Sequence, residues 1–143
     1  MFFKNQNPIV LELACGRGEY TLELARRYPQ INFLGIDIKG ARIHQGAIKA
    51  LDMGLENAGF LRIRIEQLKY YFATNEIQEI WITFPDPFLK KSKSNRRLTA
   101  PYFLQTYRRI LQDGGKVNLK TDDDTLYTFS IETIKAQDGI YID

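Results

Sequence analysis

What most constrains this chain is an alternation: short apolar runs, each closed by a turn signal, take turns with segments whose apolar residues fall at helical intervals. Pro8-Ile-Val-Leu-Glu-Leu13 passes through the small-residue turn Ala14-Cys-Gly-Arg-Gly18 into a helical segment over 20–28, with Leu22, Leu24, Ala25 and Tyr28 in phase and Pro29 as its stop. Asn32-Phe-Leu-Gly-Ile-Asp37 reads as a second strand, ending on an acid, and 41–53 as a helix with Ile43, Ala47, Ile48 and Leu51 inward. A third strand is expected over 58–65, at most a short helix over 67–74, and a fourth strand over 79–84. Thr99 is expected to cap a helix over 100–111, with Pro101 in its first turn and Asp113-Gly-Gly115 ending it. A strand over 116–121 and a helix over 123–136 follow. The spacing predicts an α/β fold, a doubly wound, mostly parallel sheet with helices on both faces. At 143 residues the chain makes a single domain.

The fourth of these strands, Glu79-Ile-Trp-Ile-Thr-Phe84, runs into Pro85-Asp86-Pro87. Each proline lacks a ladder N–H and keeps its predecessor out of helical angles, so Asp86 sits on a stiff turn. In a parallel sheet that turn lies at the carboxyl end, where open α/β sheets take their ligands. The next residues include Lys90, Lys91, Lys93, Arg96 and Arg97 without an acid among them. Taken singly, a Pro-Asp-Pro turn is punctuation and a charge run is a solvated face. Side by side after a buried strand, they point to a polyanion site with one carboxylate.

Charge supports this. The net charge is only +3. Yet residues 87–112 hold seven cations and no acid, leaving thirteen cations against seventeen acids elsewhere, the localised footprint expected of nucleic-acid binding. The single cysteine, Cys15, and the single histidine, His44, leave no internal disulfide, no structural zinc and no Ser-His-Asp chemistry. Cys15 reads as a small filler, His44 as a solvated helix residue. Trp81, Tyr70-Tyr71 and Tyr102-Phe103 read as core or helix-face residues. No apolar run is long enough for a membrane span and the first residues carry no secretory pattern, so the expected location is cytoplasmic.

The glycine turn after the first strand is incomplete as a dinucleotide fingerprint. Gly16 and Gly18 are present, but Thr21 stands at the third glycine position. Glu12 in the strand would repel a pyrophosphate and tolerate a sulfonium, and Asp37 at the end of the second strand offers acceptors for ribose hydroxyls. The pattern suits S-adenosylmethionine. Glu66, after the third strand, is a candidate for the adenine edge, with an exposed loop acid as the plain alternative.

These residues resemble the bacterial tRNA (guanine-N7-)-methyltransferases over nearly the whole chain. Glu12-Leu-Ala-Cys-Gly-Arg-Gly18 is similar to the family's cofactor motif, Gly35-Ile-Asp-Ile-Lys39 to its second strand end, and Thr83-Phe-Pro-Asp-Pro-Phe88 with Lys90, Lys91 and Arg96-Arg97-Leu98-Thr99 to its signature loop. Lys120-Thr-Asp122 resembles a further substrate-side motif. The resemblance implies a Rossmann-like class I methyltransferase fold, S-adenosylmethionine as donor, and methylation of a guanine in the tRNA variable loop. It places Glu12, Gly16, Gly18, Asp37, Glu66 and Asp86 at the cofactor, with Asp86 as the catalytic carboxylate, Lys90 and Asp122 on the substrate, and Ser92, Lys93, Ser94, Asn95, Arg96 and Arg97 on RNA. No metal is implied. The sequence departs from the family at Ala14, where glycine is usual, and at Phe88, where tryptophan is usual. The resemblance also implies a segment before the first strand and further strands with a Thr-x-x-Glu motif after the last helix, so residues 1–143 are expected to be one methyltransferase domain truncated at both ends. Two other classes remain open at this point: a non-catalytic RNA- or cofactor-binding remnant of that fold, and a small-molecule methyltransferase.

Overall fold

In a computed structural model that describes residues 2–140, the chain forms five strands and five α-helices in alternation. They are β1 (Ile9–Leu13), α1 (Glu19–Arg27), β2 (Asn32–Asp37), α2 (Gly40–Asp52), β3 (Ala58–Arg62), α3 (Leu68–Tyr71), β4 (Ile77–Thr83), α4 (Pro101–Ile110), β5 (Leu111–Lys120) and α5 (Asp124–Lys135). Two 3-10 turns, Ile65–Gln67 and Lys91–Arg96, precede α3 and α4. All strand pairs are parallel and the sheet order is β3-β2-β1-β4-β5. The chain winds outward from β1 in one direction, then returns to β1's other side with β4. The alternation in the sequence therefore becomes the doubly wound sheet it predicts.

Because side chains alternate along a strand, β1 feeds two different layers. Leu11 and Leu13 join Ile36, Ile80 and Ile82 beneath Leu68 of α3 and Phe103, Leu104, Tyr107 and Ile110 of α4, with Phe129 and Ile134 of α5 against the same cluster. Val10 points the other way, to Ala25 of α1 and Phe33. Glu12 shares Val10's face, which is why one acid of β1 arrives under the first turn of α1.

Three local expectations change. The inward face of α2 is its small one: Gly46 and Ala50 are buried, whereas Leu51 is 81% exposed and Ile48 44%. The Phe60 ring fills the space, since a methyl group added at Gly18, Gly35 or Gly46 would stand within 3 Å of that ring, so the large residues of α2 are turned outward. Thr99 does not cap α4. Ala100 holds the cap position, and the Thr99 hydroxyl is buried 2.6 Å from that of Ser130 in α5. Asp113-Gly-Gly115 does not separate helix from strand either: β5 begins at Leu111 and the glycines form a bulge, where Ile77 pairs with Leu111 and Glu79 with Lys116. Gly114 takes φ 77°, and a Cβ on Gly115 would meet the carbonyls of Gln112 and Gln78 at 2.9 and 3.0 Å. The further strands expected after the last helix would begin beyond the described residues.

Candidate functional site

The carboxyl ends of β1 and β4 meet where the winding reverses, and a cavity of about 520 Å³ opens there. It is lined by Glu12, Cys15, Arg17, Glu19, Tyr20, Arg42, Thr83 and Phe84.

Glu12 is only 4% exposed. Its Oε1 accepts from the Thr21 N–H at 3.1 Å and the Thr21 hydroxyl at 2.6 Å, and its Oε2 from the Thr83 hydroxyl at 2.5 Å. One carboxylate thus ties the first turn of α1 to the end of β4. Burial raises its pKa, the hydrogen bonds from Thr21 and Thr83 pull the other way, and the negative charge of Asp37 adds to the rise.

The turn from β1 to α1 is bent by three left-handed residues, Ala14 at φ 55°, Gly16 at 60° and Gly18 at 74°. Asp37 pins it from β2. One carboxylate oxygen accepts from the Gly16 N–H at 2.8 Å, the other from the Lys39 N–H at 2.9 Å. Burial, with the charges of Glu12 and Asp37, pushes the Cys15 thiol far up, so it is a neutral filler and no nucleophile.

Asp86 is exposed, on a turn closed by its own Oδ1, which accepts from the Phe88 N–H at 2.8 Å. Phe84 at φ 48° and Phe88 at φ 43° flank it, both in a region that non-glycine residues avoid. Phe84 is also 66% exposed at the cavity mouth. The Phe84 N–H donates to the Lys120 carbonyl at 2.8 Å, which extends the β4–β5 ladder and sets Lys120, then exposed Asp122, beside this end of β4.

The sequence-predicted residues therefore divide. Glu12 lines the cavity, and Asp37 holds its floor through Gly16. Glu66 lies exposed in the 3-10 turn after β3, on the side of α4, where its charge adds to the burial that keeps the Tyr107 phenol protonated. Lys90, Lys91, Ser92, Lys93, Asn95 and Arg96 are exposed and Ser94 partly so. Arg97 is not among them: it is 5% exposed and turned inward. Side chains that sequence reading passed over also face the cavity, namely Arg17, Glu19, Tyr20, Arg42 and Phe84. Tyr20 packs 5.4 Å from Trp81, with the Lys120 ammonium 4.8 Å from the Tyr20 ring. Only the helical phase of Tyr20 hinted at this; the strained backbone of Phe84 left no sequence mark. Among the described residues no group of three or more His, Cys, Asp and Glu is placed to hold a metal ion.

A family model described as putative methyltransferase matches residues 6–141. A tRNA (guanine-N(7)-)-methyltransferase from Christiangramia forsetii is 55% identical over 136 residues, covering 95% of this chain and 61% of that protein. One of the same description from Limosilactobacillus reuteri is 36% identical, covering 99% of this chain and 68% of its own length. The crystal structure of TrmN from Thermus thermophilus superposes with a TM-score of 0.71 at 26% identity, over 87% of this chain and 36% of that one. The chain spans about half to two thirds of the length of the curated relatives it matches.

Proposed function

The chain belongs to the tRNA (guanine-N7-)-methyltransferase family, and from that premise we propose that the protein transfers a methyl group from S-adenosylmethionine to N7 of a guanine in the variable loop of tRNA, in the cytoplasm. One observation carries the reading: the Glu12 carboxylate joins the glycine turn's helix to Thr83, so the cofactor half and the strand that delivers Asp86 share one cleft.

The residues present fit this cofactor. A Cβ on Gly16 would meet nothing within 4 Å, so the turn leaves open space on its ligand side. The buried carboxylate of Glu12 faces that cavity and favours a cationic group over a pyrophosphate. Glu12, Gly16, Gly18 and Asp37 would hold it. When bound, it supplies a methyl group on a sulfonium, an electrophile that needs no further activation.

Guanine N7 carries a lone pair, so no residue has to remove a proton from it. The protein's work is to hold N7 in line with the methyl group and to exclude water. Asp86 accepts from the guanine N1–H and N2–H₂ and offsets the positive charge that grows on the ring, an electrostatic role. Lys90 and Asp122 hold the substrate, and Ser92 to Arg96 meet its phosphates. The test is single-turnover methyl transfer from labelled cofactor to unmodified tRNA, against the same tRNA with 7-deazaguanine in the variable loop. The expected result is transfer to the first and none to the second. Equal labelling of both would overturn the assignment of N7.

A further inference from the structure

The basic loop faces solvent with its lysines, but its last cation does the opposite. Arg97 Nε donates to the carbonyls of Pro87 at 2.9 Å and Phe88 at 3.2 Å, and Nη2 to Phe88 at 3.0 Å. The guanidinium lies 4.6 Å from the Phe129 ring of α5. No carboxylate pairs with it among the described residues, where the ion pairs are those of Glu23 with Arg26 and Arg27. A buried cation held by two carbonyls and a ring face would lose all three on swinging out to a phosphate. The backbone around it is equally anchored: the Tyr107 hydroxyl donates to the Leu98 carbonyl at 2.8 Å, and Thr99 meets Ser130.

The two carbonyls belong to the residues that directly follow Asp86. Phe88, whose N–H closes the Asp86 turn, is strained at φ 43° and needs an outside restraint. We propose that Arg97 is a positioning residue, a clamp that fixes the Asp86 turn against α5, and that it makes no phosphate contact. Lys90 to Arg96 can then engage RNA while the base of their loop stays fixed. The inference rests on the reading of Asp86 as the carboxylate that holds guanine.

The test compares Arg97→Met, Arg97→Lys and Arg96→Met in the full protein. Methionine keeps an apolar stem over Phe129, and lysine keeps the charge without the fork that spans two carbonyls. Both Arg97 variants are expected to keep the parent's dependence of tRNA affinity on salt. Both should lose about ten- to hundredfold in single-turnover rate at saturating tRNA and cofactor. Arg96→Met should flatten the log–log salt slope by about 0.7–0.9. If Arg97→Met flattens the slope equally and Arg97→Lys restores slope and rate, Arg97 is a phosphate contact and the clamp is overturned. An unchanged rate in Arg97→Met overturns it as well. Should the variants fail to fold, the parent decides: the Arg97 Nε–H resonance is expected to exchange slowly and to stay in place on adding tRNA, and a freely exchanging or RNA-shifted signal counts against the clamp. A parent that transfers no methyl group overturns the reaction and leaves the clamp to that resonance.

Discussion

Ala14 stands exposed at φ 55°, in the left-handed region that favours glycine. An L side chain in the left-handed region costs about 1–2 kcal/mol, and glycine removes that strain while adding about 0.4–1 kcal/mol of unfolded-state entropy. Because the methyl group is exposed, little packing is lost. Ala14→Gly is therefore expected to stabilise the protein by about 0.5–1 kcal/mol, read as a higher urea midpoint at unchanged slope; a lower midpoint would show that the strain is absent. Arg97 makes the complementary point. In the sequence it is one cation of five, and only its burial separates it from Arg96.

At the scale of elements, the loop between β4 and α4 sorts its own charges. Its 3-10 turn, Lys91–Arg96, has no buried residue, so Lys90, Lys91, Lys93 and Arg96 point outward while the residues that follow are anchored. Four exposed cations, not five, are available to phosphates. Replacing all four with glutamine is expected to reduce the magnitude of the log–log salt slope of tRNA binding by about 2.8–3.6, using about 0.7–0.9 per contact. Filter binding over a salt series measures this, and a reduction below about one would make the loop a solvated face. The same scale explains the rotated face of α2. Small residues permit close approach, and the Phe60 ring takes the room that Ile48 and Leu51 were expected to fill.

For the whole molecule, the joint is Glu12, which links β1, α1 and β4 through one buried carboxylate. Its pKa is raised above 4.5 in the folded state, mainly by burial. The folded state then holds the proton more tightly than the unfolded one. The stability this lends is fully present below about pH 4.5 and is lost as pH rises through the folded pKa, levelling off above it. In Glu12→Gln that segment of the pH dependence should vanish. Urea unfolding of both proteins from about pH 4 to about pH 8 checks this, since other groups, such as Glu23 held at about 2 by Arg26 and Arg27, cancel in the difference. Parallel profiles would mean that Glu12 titrates normally. The same variant is expected to bind S-adenosylmethionine less tightly, because the charge that faces the cavity is gone.

By itself the sequence determined the architecture, because strand and helix periods, turn glycines and prolines are local properties that need no partner to be recognised. It also determined which residues gather at one edge of the sheet. Glu12 and Asp37 lie at or next to strand ends and Gly16 and Asp86 in the turns just beyond them, and strand ends in a parallel sheet converge by topology. Only the tertiary structure decided what depends on contact between distant segments. Arg97 closes on Pro87 and Phe88, Thr99 turns to Ser130, and Phe60 sets the face of α2. Each of these side chains had two physically reasonable partners, solvent or the packed interior. Burial against a particular neighbour, which no spacing along the chain encodes, chose between them.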